Sequence, residues 1–274
     1  MLRRYGVLTL PAVALLLAAF VYPISALLLR SVSVPHWGLQ NFAIMLNRPV
    51  YLQVLLNTGT ISGLTTIGCA MLGYPLAYTM ATASAAVRRA LVMIVLVPFW
   101  TSILVRTFAW MVLLQREGLI NHILLAIGLT DQPIMLVHNR IGTMIGMIQV
   151  LLPFMVFPLY SVMLRIDPSY VQAAAGLGAG PVRAFWRIYL PLSLPGVLAG
   201  STLVFIIGLG YFITPALLGG PHDMMIAQLI EQQISNFGNW GFAATLAVTL
   251  LAGTALTLGI AHRVFSVRDL WSVT

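Results

Sequence analysis

Few residues in this chain could carry acid–base, nucleophilic or metal chemistry, and they are not arranged for it. The acids are Glu117, Asp131, Asp167, Asp223, Glu231 and Asp269, each alone. The histidines, His36, His122, His138, His222 and His262, are isolated, and no HExxH places two ligands on one helix face. Cys69 stands alone in an apolar run, so no internal disulfide can form. There is no lysine, and a P-loop needs one to reach the terminal phosphates. The residues therefore assign no catalytic group, no metal ligand and no nucleotide site. A proton-coupled carrier keeps an acid or histidine inside the membrane as its relay. Here all six acids fall in predicted loops or at span ends. No pair of residues suits an intramembrane protease either.

The stretch with a spatial pattern is DPSYVQAAAGLGAGPVRAFWRIYLPLSLPG, from Asp167 to Gly196. Asp167 followed by Pro168 is a helix start, an acidic N-cap and then proline at the first helical position. The helix should run through SYVQAAAGL and stop at Gly178. Pro181 should begin a second helix on which Arg183 and Arg187 share a face, with Pro191 and Pro195 ending it. Ala173, Ala174, Leu177 and Gly178 make a small, smooth patch. An interfacial helix lying on lipid is one reading. The absence of a bulky apolar stripe and of a basic face favours a helix shaped for a protein groove.

The elements that hold this loop are membrane spans. The chain has 274 residues, 60% hydrophobic and 7% charged. An average soluble domain is roughly a quarter charged, so the solvent for most of this surface is lipid. Six runs are long enough to cross: 7–29, 53–82, 90–114, 141–164, 196–218 and 241–261. The first is too long for the apolar core of a signal peptide and reads as an uncleaved helix. Nine arginines lie on the side of the termini: Arg3, Arg4, Arg88, Arg89, Arg165, Arg183, Arg187, Arg263 and Arg268. Five lie opposite: Arg30, Arg48, Arg106, Arg116 and Arg140. The bias places both termini and the loop in the cytoplasm. It also explains a net charge of +8 better than nucleic-acid binding, since no basic run interleaves with aromatics. The fold class expected is an all-α membrane protein, one domain over 1–274, with six spans and a cytoplasmic loop at about 165–195.

Prolines inside the spans bend helices and free carbonyls that must find protein or a water-lined cavity. Pro98 should free the carbonyl of Ile94, and Pro215 that of Tyr211. Bends that serve packing alone remain an equal reading. Gly59 with Gly63, and Gly142 with Gly146, give spacing for close helix contact. Trp100 and Trp110 on the third span, with Tyr211 and Phe212 on the fifth, are candidates for an aromatic lining that would favour a cation. Packing or lipid-facing aromatics are the alternative, above all for Trp110 near the outer interface. Glu231 and Asp223, in an outer loop without arginine, favour cation access. Arg106 would repel a cation and is expected to snorkel outward.

The loop resembles the EAA motif of ABC importer permeases: Glu-Ala-Ala, three residues, Gly, nine residues, Ile-x-Leu-Pro. This chain has Gln172-Ala173-Ala174, Gly178 and Ile188-Tyr189-Leu190-Pro191 at that spacing. Gln172 replaces the glutamate, keeping its shape and losing its charge. LGYPLAY (72–78), VPFWTSILVRTFAW (97–110), LLPFMVFPLY (151–160) and PALLGG with MIAQLIEQQ (215–233) resemble the spermidine/putrescine type. So does NWGFAA (239–244), where Gly241 replaces the family's usual proline. The resemblance implies the type I importer permease fold in a bacterial inner membrane. It implies a second related permease subunit, two cytoplasmic ATPase subunits that hold ATP and Mg²⁺, and a periplasmic substrate-binding protein. Gln172, Ala173, Ala174, Gly178, Ile188, Leu190 and Pro191 would then couple to the ATPase. The implied solute is a polyamine or a related organic cation. An opine, an amino-acid derivative or an organophosphonate is the alternative, and a stand-alone secondary carrier a further one.

Overall fold

The computed structural model describes residues 2–264, with side chains from 11 to 263. The side chains of Arg3 and Arg4, and residues Arg268 and Asp269, lie outside the described residues. Every regular element among them is helical. Helix α1 (Leu2–Ser33) is followed by α2 (Gln40–Asn47), α3 (Pro49–Thr82) and α4 (Ala85–Leu96). Next come α5 (Ile103–Leu114), α6 (Leu119–Ala126) and α7 (Arg140–Met163). The loop holds α8 (Pro168–Gly176) and α9 (Pro181–Ala184). Helices α10 (Leu190–Leu209), α11 (Ile213–Leu218), α12 (Ile226–Ser235) and α13 (Trp240–Val264) complete the chain. Five segments are long and apolar enough to cross a membrane, and a sixth is a bent pair.

The two segments not straight are the third and the fifth. The third, expected as one helix over 90–114, turns by 101° between Ala85–Trp100 and Ile103–Ala126. Pro98 is the cause. It has no N–H to give and crowds the preceding turn, so Val97–Trp100 tighten into a 3₁₀ turn. The Thr101 hydroxyl closes that turn on the Pro98 carbonyl at 2.7 Å. The chain then runs extended and restarts at Ile103. The fifth, expected over 196–218, begins earlier and ends at Leu209. After the break at 210–212, Pro215 sits in the first turn of α11. A missing N–H costs nothing there, so the proline begins a new helix instead of kinking an old one.

Pro191 and Pro195 do not end the second loop helix as expected. A π turn at Phe185–Tyr189 joins α9 to α10, and the apolar segment is continuous from Pro181 to Leu209. The wider turn shifts the hydrogen-bond register by one residue, so Pro191 enters at the start of α10 without an interruption.

Helices α3, α7 and α10 form the core. In lipid, helices gain little from hydrophobic transfer and associate through close packing. Met155 on α7 shows how: it is fully buried. A Cβ on Gly200 of α10 would stand 2.7 Å from its sulfur, and one on Gly73 of α3 would stand 2.9 Å from its Cγ. Of the two paired-glycine spacings, Gly146 meets α11 closely, with Thr214 Cγ2 2.6 Å from a Cβ built there. Gly59 and Gly63 have open space around them and mark no contact. Helix α1 lies on α13 at one end: Thr245 Oγ1 donates to the Ser31 carbonyl at 3.2 Å, and the Arg30 guanidinium sits 6.0 Å over the Trp240 ring. Its apolar flank, Leu15, Leu16 and Phe20 included, is exposed.

Candidate functional site

The loop is a set of closed ends. The Asp167 side chain accepts from the Ser169 backbone N–H at 2.8 Å. That bond holds its carboxyl below the usual carboxylate range. At the other end of α8, the Leu177 N–H is shared between the carbonyls of Ala173 and Ala174, and Ala179 N–H returns to Ala174. Gly178 takes φ +82°, the left-handed region that other residues enter at a cost. Gln172, Ala173 and Gly178 are exposed, and Leu177 is 90% exposed. Ala174 is not part of the outward patch. It is 7% exposed, packed inside the loop, because the turn back to Ala179 folds the chain over it.

The loop is tied to the bundle by aromatic rings. Phe185 meets Tyr74 and Tyr78 of α3 edge-on, at 5.9 and 5.8 Å between centroids. Tyr78 meets Tyr189 at 5.0 Å. Such pairs add about 0.5–1.5 kcal/mol each beyond the area they bury. Tyr74 also bonds Ser193 at 2.9 Å. Ile188, Leu190 and Pro191 lie just beyond Phe185, so these rings link their stretch of chain to α3.

At the opposite end, polar side chains lace two spans, α3 and α7, to the segment 222–226 that leads into α12. Arg140 at the start of α7 donates to Asp223 at 3.0 Å and to Asn57 of α3 at 2.9 Å. Asn57 donates to the His222 carbonyl at 2.6 Å, and Thr58 accepts from Ile226 N–H at 2.8 Å. Asp223 is therefore engaged by Arg140 and is not a free acid for attracting cations. Beside this lacing lies a cavity of about 870 Å³ lined by Tyr51, Gln53, Asn57, Gln232, Gln233 and Asn239, among others. Glu231 is on the exposed flank of the helix that supplies Gln232 and Gln233.

The two span breaks enclose a smaller cavity of about 350 Å³. Tyr211, Arg106, Thr101 and Phe99 line it, with Phe154 and Ile207 as apolar walls. Arg106, expected to snorkel outward, is half-buried against this cavity. Its Nε and Nη1 are buried without a hydrogen-bond partner, as is the Tyr211 hydroxyl. Pro98 turns the start of α5 across the bundle, which carries Arg106 inward. Trp100, beside the break, is 85% exposed. Trp110 packs on the Leu114, Leu136 and Leu218 cluster. Phe212 caps α11 at the surface. Of the five path candidates, only Tyr211 lines this cavity. The amides of the larger cavity were not singled out from the sequence, although Gln53 and Asn57, four apart in an apolar span, share a helix face.

A chain of apolar spans with broken third and fifth segments and a capped loop between the fourth and fifth has the fold of a type I ABC importer permease. The solved bacterial alginate ABC transporter, in complex with alginate pentasaccharide-bound periplasmic protein, has a chain of this fold, with TM-score 0.76, 19% identity and coverage of 94% of this chain and 92% of that one. The chain belongs to the family of binding-protein-dependent transport system inner membrane components, whose model matches residues 73–268. It is 36% identical over 225 residues to the spermidine/putrescine transport system permease protein PotB of Salmonella typhimurium (strain SL1344), covering 82% of this chain and 78% of that protein. It is 36% identical over 220 residues to PotB of Escherichia coli (strain K12), covering 80% of each. The inner membrane ABC transporter permease protein YdcU of the same strain is 32% identical over 243 residues, covering 84% of this chain and 76% of YdcU. The chain is thus a multi-pass transport subunit of the inner membrane, and the ATPase is a separate subunit.

Proposed function

We propose that this chain forms half of the path of an ATP-driven importer for a polyamine such as spermidine or putrescine, or for a related small organic cation. The exposed, capped helix α8 closed at Gly178 carries the importer reading. The solute class rests on similarity to permeases named for spermidine and putrescine. It is supported by the larger cavity, where Gln53, Gln232 and Gln233 can turn amide oxygens to ammonium groups and whose lining contains no arginine.

In this reading a second permease subunit completes the path and two cytoplasmic ATPase subunits hold ATP and Mg²⁺. A periplasmic binding protein delivers the solute, and this chain binds no cofactor. The loop end faces the cytoplasm with both termini, in keeping with the arginine bias. ATP binding draws the ATPase subunits together. Gln172, Ala173, Leu177 and Gly178 move with them, and the rings at Phe185 and Tyr189 carry the displacement to α3. The bundle switches between two packed states, and each ligand shifts it only by its differential affinity for them. A stiff loop is needed, because a flexible one would absorb the stroke.

The test is uptake of labelled spermidine into proteoliposomes holding both permeases, the ATPase and the binding protein. Uptake that requires ATP and the binding protein is expected. ATP-independent uptake would place the chain among secondary carriers, and ATP-driven uptake of uncharged solutes only would remove the cation reading. Reporter fusions after Gly180 and Asn236 should read inside and outside, respectively.

A further inference from the structure

We propose that the cavity at the two span breaks is a carboxylate-binding site, with Arg106 as its cationic anchor and the Tyr211 hydroxyl as its second donor. A guanidinium does not deprotonate in a protein, so Arg106 is charged where it stands. Its Nε and Nη1 are enclosed and bond to nothing among the described residues. An enclosed charge without a counter-charge is unfavourable. The one ion pair among the described residues is Arg140–Asp223, at the outer end, and no acid lines this cavity.

The other features of the cavity have the same sign. The Tyr211 hydroxyl is buried beside Thr214 and Arg106 without a hydrogen bond of normal geometry. Helix α5 opens onto the cavity through Thr101 and Ile103, and the Ser102 side chain makes no capping bond. Its first-turn N–H groups therefore add positive potential at the end nearest Arg106. Half-helix N-termini of broken spans face anionic groups in this way. The apolar walls, Val150, Leu151 and Phe154, strengthen any charge pair formed between them. One guanidinium and one hydroxyl match a planar monoanion. A phosphate dianion would call for a second cation, which the lining does not contain.

The carboxylate has two sources with one chemistry. It belongs to the solute, or to an Asp or Glu of the second permease subunit closing over the cavity. The source decides the solute class. A bare polyamine has no carboxylate, so a solute source narrows the cargo to amines that also carry one, whereas a subunit source leaves the polyamine reading intact. Both sources rest on the importer reading, the first through its solute and the second through its paired permease.

The experiment uses the whole complex in nanodiscs. In one arm 4-aminobutyrate is titrated beside the matched diamine, putrescine. A solute source gives saturable 4-aminobutyrate binding that weakens about tenfold or more in Arg106→Gln and recovers in part in Arg106→Lys. In the other arm each acid of the second permease is changed to its amide. A subunit source gives one substitution that weakens subunit association as much as Arg106→Gln does, with no further loss when the two are combined. Either result supports the site. An Arg106→Gln complex that assembles normally, with unchanged 4-aminobutyrate binding and no coupling to any partner acid, overturns it. If Arg106→Gln fails to assemble, Tyr211→Phe decides, since it removes a donor and no charge. Unchanged 4-aminobutyrate affinity together with unchanged subunit association in Tyr211→Phe also overturns the proposal. ATP hydrolysis by the unaltered complex, stimulated by the loaded binding protein, tests the importer reading separately, whichever solute is carried.

Discussion

Loop 165–195 and the two span breaks treat their polar groups in opposite ways. In the loop, Asp167 satisfies the start of α8, Gly178 lets the chain fold back on its end, and the rings of Phe185 and Tyr189 hold the turn that leads into α10. At the breaks, Nε and Nη1 of the half-buried Arg106 and the hydroxyl of Tyr211 are enclosed without a normal hydrogen bond. The first region is complete within one chain, which in the proposed importer suits it to act as a rigid lever. The second is incomplete by itself, as a surface that meets a ligand or a second subunit must be. Stiffness belongs where force is transmitted, and unsatisfied polarity where something is to be bound.

The largest expected effect is in the lever. Gly178→Val forces a β-branched residue to φ +82°. The left-handed region costs an ordinary residue about 1–2 kcal/mol, and a branched one more. Transport should be lost and the ATPase should no longer co-purify. Next is a pair that separates docking from folding. Leu177→Glu, on an exposed side chain, should remove ATPase association and leave the melting temperature unchanged. Ala174→Asp, at a buried position, should lower the melting temperature as well. Equal melting temperatures for the two would mean that Ala174 is not enclosed. In the core, Gly200→Val drives a side chain into Met155. Overpacking of this kind costs about 1–3 kcal/mol, read as a lower melting temperature in detergent.

Smaller still is the outer lacing. Arg140 is partly exposed, so its pair with Asp223 should show a coupling of about 1 kcal/mol or less in a double-mutant cycle. The smallest effect is that of pH on Asp167. Its carboxyl is depressed by the Ser169 N–H, so its contribution to the loop is fully present above the usual carboxylate range. That contribution is lost as the pH falls through the lowered value. Protection factors for the α8 amides, corrected for intrinsic exchange, should be unchanged from pH 7 to 5 and fall only below that range, and Asp167→Asn should flatten the response.

The sequence made the loop legible because its devices are local. An N-cap acid, a proline and a stop glycine act within a few residues of themselves. The spans were legible for a similar reason, since length and apolarity suffice. The bend at Pro98 was legible as a bend, but its angle was not. Whether a proline kinks a helix or ends it depends on what receives the freed chain, here Thr101 and Ser102. Arg106 was misplaced by the same gap: position along a span does not say which way a broken span turns. Ala174 shows the limit in the loop, where a small residue suits a docking patch and a buried turn equally well. Asp223 looked free because Arg140, its partner, is 83 residues away in sequence.

The most direct measurement is ATP-driven spermidine uptake and ATPase co-purification, made on the same reconstituted samples of wild type and Leu177→Glu. A rigid lever docked through α8 predicts that Leu177→Glu loses both together while binding-protein association with the permease is retained. Wild-type uptake by Leu177→Glu with the ATPase still attached would contradict it.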